Sequence, residues 1–282
     1  MNISQTIQFA TQQLEKIYDS REAKNITTIV IEEITGLNRI ESIINKDVDL
    51  TISQEHQFNK YIQELSLHKP IQYVLGNAWF SGNKFLVNEH VLIPRPETEE
   101  LVELIVLENK NSSPSILDIG TGCGCIAISL QKQILNSLVT AIDVSEISLE
   151  IVKKNMSNLS SKINLKKSNF LDENTWNELP HFNIIVSNPP YIKEEEKKTM
   201  EPNVLLHEPH VALFVPNDDA LIFYRKIIDF AKNHLNPKGY IYVEINESLG
   251  LETENLFKQN NYTTLLIKDL QGKDRIVKAS KN

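Results

Sequence analysis

The sequence predicts an α/β protein with a mostly parallel sheet and an antiparallel edge strand, preceded by a small helical part and a linking β-hairpin. Three observations carry this. Residues 1 to about 68 show helical periodicity only, residues from about 70 to 93 alternate as a hairpin does, and from 97 onward apolar strands alternate with helical runs. The expected division is a helical domain over 1–68, a linker with a hairpin over 69–96, and an α/β domain over 97–282.

In the first part Ile3, Ile7, Ala10, Leu14 and Ile17 share one helix face; Ser20 and Ser53 are expected as N-caps, and Gly36 as the stop of the second helix. Ser81-Gly82-Asn83 supplies the hairpin turn. Ser115 to Ile119 is a buried strand, followed by the loop Gly120-Thr121-Gly122-Cys123-Gly124 and a helix from Cys125 to Leu135. A second apolar strand, Leu138 to Ile142, runs into Asp143, and a third, Phe182 to Ser187, runs into Asn188. Near the end, Thr263 to Lys268 and Arg275 to Ala279 are strands joined through Gln271-Gly272, an antiparallel hairpin at the sheet edge.

Asn188-Pro189-Pro190-Tyr191 carries the most chemistry. Two prolines fix their own φ, donate no hydrogen bonds and push the residues before them toward extended geometry. The loop therefore offers acceptors and few donors. The Asn188 side-chain oxygen and a proline carbonyl suit the two hydrogens of a planar NH2 group, and Tyr191 suits its flat face. An amide nitrogen is a poor nucleophile because its lone pair is delocalised, so acceptors on both hydrogens favour the charge that develops on attack.

The glycine loop lets a ligand approach a helix N-terminus, and Asp143 at the end of the next strand suits the two hydroxyls of a ribose. A dinucleotide site would require G-x-G-x-x-G, whereas the spacing here is Gly120-x-Gly122-x-Gly124, with Ile126 and Ala127 where a third fingerprint glycine would fall. Asp118 before the loop and the later Asn-Pro-Pro-Tyr turn fit S-adenosylmethionine better. Together they place a methyl sulfonium opposite an NH2 group, which reads as methyl transfer to nitrogen.

With these motifs the chain resembles the release factor glutamine methyltransferases, the HemK/PrmC family. The resemblance rests on Lys69 to Gly76, Leu92-Ile93-Pro94-Arg95-Pro96-Glu97-Thr98-Glu99, the glycine loop, Asp143, Asn188 to Tyr191, Glu208-Pro209 before Ala212-Leu213, and Asp274 to Val277. It implies the class I S-adenosylmethionine-dependent methyltransferase fold, which is Rossmann-like, and N5-methylation of a glutamine side chain in class 1 peptide chain release factors. Asn188, Pro189, Pro190 and Tyr191 are then the catalytic loop. Gly120, Thr121, Gly122, Cys123, Gly124, Asp143, Phe170 and Asn188 are the cofactor-binding set, with Phe170 beside the adenine. Arg95 is expected either to brace the cofactor pocket or to pair with Glu97 or Glu99. Asn169 stands where the family usually has Asp, Asn246 where Gly follows the strand, and Ala220 where Gly is common.

With 29 Lys and Arg against 37 Asp and Glu, the net charge of −8 argues against a broad phosphate-binding surface. That disfavours the alternative of a methyltransferase acting on adenine N6 or guanine N2, which needs a basic groove to extract its base. A second alternative, a cofactor-binding module without catalysis, is disfavoured by the intact Asn188 to Tyr191. No apolar run of 18 residues exists, so no membrane span is expected, and Met1 to Lys16 has no export or transit character. The cytoplasm is the expected compartment. Cys123 and Cys125 are too few for a zinc site, and His207 and His210 flank a Pro that removes the helical ligand face, so no metal is expected. Lys193 to Lys198 reads as a solvated helix with i, i+3 and i, i+4 charge pairs.

Overall fold

The computed structural model describes residues 1–281. The chain forms two compact units, Met1–Gly76 with Glu201–His207, and Asn77–Met200 with Glu208 onward.

The first unit begins with helices α1 (Ile3–Leu14), α2 (Ser20–Thr35), α3 (Arg39–Ile44), α4 (Ile52–Leu65) and α5 (Ile71–Leu75). Ile3, Ala10, Leu14, Val30, Ile31, Phe58 and Leu65 meet in its core. The caps lie one or two residues before the expected serines. Asp19 accepts from the Arg21 and Glu22 amides, and Thr51 forms a reciprocal pair with Gln54. Both cap residues have extended backbone, as a cap requires, while Ser20 is already helical and its hydroxyl donates to Glu15. Gly36 stops α2 with φ +72°, as expected.

Residues 71–75, expected in the hairpin, are instead a helical turn. Pro70 precedes its first turn and Gly76, at φ +71°, ends it, so the short apolar alternation there is overridden by its punctuation. The hairpin proper is β1 (Asn77–Phe80) and β2 (Asn83–Leu86). Its turn has only two residues, Ser81 and Gly82, both at positive φ, and Asn83 is already paired with Phe80.

The second unit continues with α6 (Pro96–Asn109), β3 (Ser115–Ile119), α7 (Cys125–Gln133), β4 (Leu138–Asp143), α8 (Glu146–Asn158), β5 (Asn164–Lys167), β6 (Phe182–Ser187) and β7 (Ile192–Lys193). Helix α9 (Pro202–His207) belongs to the first unit. The chain then adds β8 (Phe214–Val215), α10 (Ile222–His234), β9 (Leu235–Glu244), α11 (Gly250–Gln259), β10 (Tyr262–Lys268) and β11 (Asp274–Lys281). Seven strands make one sheet in the order β10-β11-β9-β6-β3-β4-β5. Strands β5, β4, β3, β6 and β9 run parallel, and β11 lies antiparallel between β9 and β10. The sheet core gathers Leu117, Ile119, Ile142, Phe182, Ile185, Phe230, Ile241 and Val243.

Register places the site. Ile119 lies opposite Ile142 on one side and Ser187 on the other, and Ser187 lies opposite Val243. The next residue of each strand is therefore Gly120, Asp143, Asn188 and Glu244, side by side at the carboxyl ends where the strand order reverses. Asn155 on α8 ties the hairpin to this edge: its Oδ1 accepts from the Leu86 amide, and its Nδ2 donates to the Leu86 and Cys123 carbonyls. Among the described residues no helix is long and apolar enough to cross a membrane.

Gly120, Gly122 and Gly124 all have positive φ, but only at Gly124 would a Cβ collide, 2.9 Å from Val152 Cγ1 and 3.2 Å from Ile128 Cδ1. Gly120→Ala is expected to cost about 1–2 kcal/mol from the left-handed backbone alone. Gly124→Ala should lose about 1–3 kcal/mol more through overpacking against α8. Denaturant unfolding of the two variants checks this, and equal losses would show that Val152 simply gives way.

Candidate active site

The carboxyl edge of the sheet borders a cavity of about 350 Å³. Gly120 and Gly122 line it from the loop, Asp143 to Ser145 from the end of β4, Ser168 to Leu171 from the segment after β5, and Asn188 to Pro190 from the end of β6. His90 to Leu92, Val211, Ala212 and Phe223 complete the wall.

Of the residues expected to bind a cofactor, Gly120, Gly122, Asp143, Phe170 and Asn188 reach this cavity. Thr121, Cys123 and Gly124 build the loop from behind. The Thr121 hydroxyl donates to Asp118 Oδ2 at 2.6 Å, the Cys123 carbonyl accepts from Asn155, and Gly124 caps α7 with φ +85°. Cys123 and Cys125 are buried free thiols, and the hydrogen bond with Cys123, together with burial, pushes the Cys125 thiol well up, so Cys125 is no ready thiolate. Among the described residues no group of three or more His, Cys, Asp and Glu side chains gathers as a metal site.

Asp143 accepts from the Gly122 amide through Oδ2 and from the Ser145 amide through Oδ1, both at 2.9 Å. Burial raises its carboxyl above the usual range and these amides oppose that shift. Each oxygen keeps a second lone pair. Phe170 is held by Trp176 and Phe230, with ring centroids 5.4 and 5.5 Å away, and the Trp176 indole donates to the Phe170 carbonyl. Asn169 also lines the cavity, with Oδ1 turned to the Leu171 amide at 3.2 Å.

Behind Asn188 lies a polar chain that the sequence did not announce. Asn188 Nδ2 donates to Thr98 Oγ1 at 3.1 Å, and the Thr98 hydroxyl donates to Glu244 Oε2 at 2.6 Å. The other carboxylate oxygen of Glu244 accepts the Tyr191 hydroxyl at 3.2 Å, and its main-chain carbonyl accepts the Tyr224 hydroxyl at 3.0 Å. Glu244 is 1% exposed. Burial raises its carboxyl, while the Thr98 hydroxyl, the Arg275 charge and the Tyr191 hydroxyl hold it down. Burial and the Glu244 charge push the Tyr191 phenol far up, so it stays a donor. Tyr191, expected to pack the plane of the substrate amide, has its hydroxyl tied to Glu244, while the residues lining the cavity end at Pro190 of this turn. Thr98 lies inside the Leu92 to Glu99 motif, where nothing local to the sequence marks its partner. Glu244 carried a signal of the same kind as Asp118 and Asp143, a carboxylate in an otherwise apolar strand.

Arg95 pairs with neither Glu97 nor Glu99. Its guanidinium meets Glu208 Oε1 at 2.5 Å, and Glu208 Oε2 accepts from the Ile93 amide. Glu99 is turned to the Ser81 amide of the hairpin turn. The Arg95-Pro96 and Glu208-Pro209 motifs thus form one ion pair next to the segments that line the cavity. In the charged run after Tyr191, a 3₁₀ turn over Glu194–Thr199, Lys197 pairs with Glu194 and lies 4.4 Å from the centre of the Phe214 ring.

Asp118 is fully buried, and its Oδ1 has no hydrogen-bond partner among the described residues. Burial lifts its pKa to about 7, against the Thr121 hydrogen bond. A carboxyl raised on folding binds its proton more tightly in the native state, so its contribution to stability is full below the ordinary value near 4 and is lost as pH rises toward 7. Asp118→Asn removes this dependence. Relative to that variant, the protein is expected to lose up to about 4 kcal/mol of stability between pH 4 and 8, read by denaturant unfolding across that range. Parallel pH profiles for the two proteins would contradict the buried, proton-retaining carboxyl.

A family model described as methyltransferase small domain matches residues 98–215, and one described as PrmC N-terminal domain matches residues 5–76. The release factor glutamine methyltransferase of Flavobacterium psychrophilum is 44% identical, over 95% of each chain. Those of Bacteroides thetaiotaomicron and Streptococcus pneumoniae are each 40% identical, over 97% and 95% of this chain and 98% and 95% of theirs. Among solved structures, a methyltransferase from Pyrococcus furiosus superposes with a TM-score of 0.53 at 21% identity, covering 71% of this chain and 89% of that one. That likeness concerns the fold, which is the class I methyltransferase fold expected from the sequence. With near-complete coverage at such identities, the chain belongs to the release factor glutamine methyltransferase family.

Proposed function

We propose that the protein transfers a methyl group from S-adenosylmethionine to the side-chain amide nitrogen of a glutamine in class 1 peptide chain release factors. The observation that carries this reading is the acceptor-rich turn at Asn188-Pro189-Pro190, open to the cavity beside the glycine loop and Asp143. The residues present fit the cofactor. The Asp143 oxygens keep lone pairs suited to a ribose diol, and Phe170 suits the face of an adenine.

Once bound, S-adenosylmethionine supplies an electrophilic methyl group. The protein's task is to hold the poorly nucleophilic amide in line with it. Asn188 Oδ1 and the Pro189 carbonyl accept the two amide hydrogens, which lets the nitrogen pyramidalise and stabilises the positive charge growing on it. Tyr191, hydrogen-bonded to Glu244, fixes the far end of the turn. The N-terminal helical unit is proposed to recognise the folded protein substrate. The cytoplasm, where release factors work, is the proposed compartment.

Incubation with labelled cofactor and separate pools of release factor, DNA and RNA tests the reading. The release factor is expected to be labelled on one glutamine, and the same factor with that residue changed to Glu should remain unlabelled. A carboxylate has no hydrogen for Asn188 or the Pro189 carbonyl, and each buried acceptor left unpaired costs about 1–3 kcal/mol. Label in DNA or RNA alone would transfer the pocket to an exocyclic base amine. Asn188→Ala is expected to lower kcat by about 10²–10³, with cofactor affinity by calorimetry little changed; a near-normal kcat would remove Asn188 from the reaction.

A further inference from the structure

This inference rests on the reading of the Asn188 turn as the seat of the accepting amide, and concerns which way its asparagine faces. We infer that Glu244, acting through the Thr98 hydroxyl, locks the Asn188 side chain so that Oδ1 rather than Nδ2 meets the substrate, and that Thr98 and Glu244 are positioning residues for the transfer.

An ionised carboxylate only accepts, so the Thr98 hydroxyl, 2.6 Å from Glu244 Oε2, spends its single hydrogen there. Thr98 Oγ1 can then only accept from Asn188, and the atom of Asn188 at 3.1 Å must be Nδ2. A flipped amide would set Oδ1 against Oγ1, two acceptors with no hydrogen between them. It would also turn NH2 toward a substrate that brings NH2 of its own. The same carboxylate takes the Tyr191 hydroxyl on its other oxygen, so one buried anion orients both polar residues of the turn. Thr98 is itself 2% exposed, which leaves water little access to its hydroxyl.

The lock depends on Glu244 being ionised. The charged and titratable groups acting on it are Arg275, which favours the ionised form, Tyr191, which donates to it, and Glu97, which opposes it; Tyr224 donates only to its main-chain carbonyl. Arg275 is in turn held by Asp269 and Glu247. Burial raises the Glu244 carboxyl, so as pH falls it gains a proton before an exposed glutamate does. It can then donate to Thr98, which frees the Thr98 hydroxyl to donate and releases the amide.

The test compares Thr98→Val, Thr98→Ser and Glu244→Gln on a glutamine-bearing release factor, with cofactor affinity and thermal unfolding measured alongside. Thr98→Val and Glu244→Gln are expected to lower kcat by about 10²-fold, with KM and cofactor affinity little changed. Thr98→Ser, which keeps the hydroxyl, should restore kcat. The fall of kcat at acidic pH should be absent in Glu244→Gln. Wild-type kcat in Thr98→Val, or a Thr98→Ser variant as slow as Thr98→Val, would overturn the inference. Should the variants unfold, side-chain amide NMR of the unaltered protein decides. One Asn188 Nδ2 hydrogen should be protected from exchange, and two freely exchanging hydrogens would refute the lock. Protection without any glutamine methylation would instead leave the lock standing and remove the proposed reaction.

Discussion

A carboxyl buried at the end of a sheet strand organises the reactive edge of this protein. Glu244 lies at the last position of β9 with almost no solvent contact, where an isolated carboxylate would cost several kcal/mol. It is kept there by the hydroxyls of Thr98 and Tyr191 and by the charge of Arg275. These partners come from the first turn of α6, the segment after β6 and the start of β11. Satisfying one buried carboxyl therefore fixes the spacing of three elements, and the turn between Asn188 and Tyr191 inherits that spacing. A half-satisfied network of this kind would be worse than an apolar core, which explains why its members are so thoroughly paired.

Parallel register does the rest of the alignment. Because adjacent strands keep step, the loop glycine, the acid beside it, the asparagine and the buried glutamate emerge at one level without any loop having to reach. The glycine loop is then free to serve two neighbours. Its Gly122 amide faces Asp143, and its Gly124 backbone closes against Val152. Asn155 carries the same order outward to the hairpin, whose turn is fastened by Glu99 one helical step from Thr98.

What the sequence made legible was local. Asn188 to Tyr191, Gly120 to Gly124 and Asp143 announce themselves because proline, glycine and a terminal acid restrict the backbone within a few residues, and the alternation of strands and helices implied the sheet. Thr98 and Glu244 meet across 146 residues, and no pattern within either segment encodes the other. Arg95 shows the same limit: two nearby glutamates were natural partners on sequence distance, yet the buried carboxylate it finds is Glu208. At 71–75 the error ran the other way. A few alternating apolar residues suggested a strand, and the flanking Pro70 and Gly76 shaped them into a helical turn. The helix caps at Asp19 and Thr51 were displaced because cap identity depends on backbone geometry that composition alone does not give.

Strand β11 contributes Arg275 to the network and pairs Ile276 with Glu244, while the Ile245 amide donates to the Arg275 carbonyl. It carries the cation that makes the buried carboxyl tolerable. A disturbance of the β9–β11 pairing therefore reaches the Asn188 turn through the charge balance at Glu244.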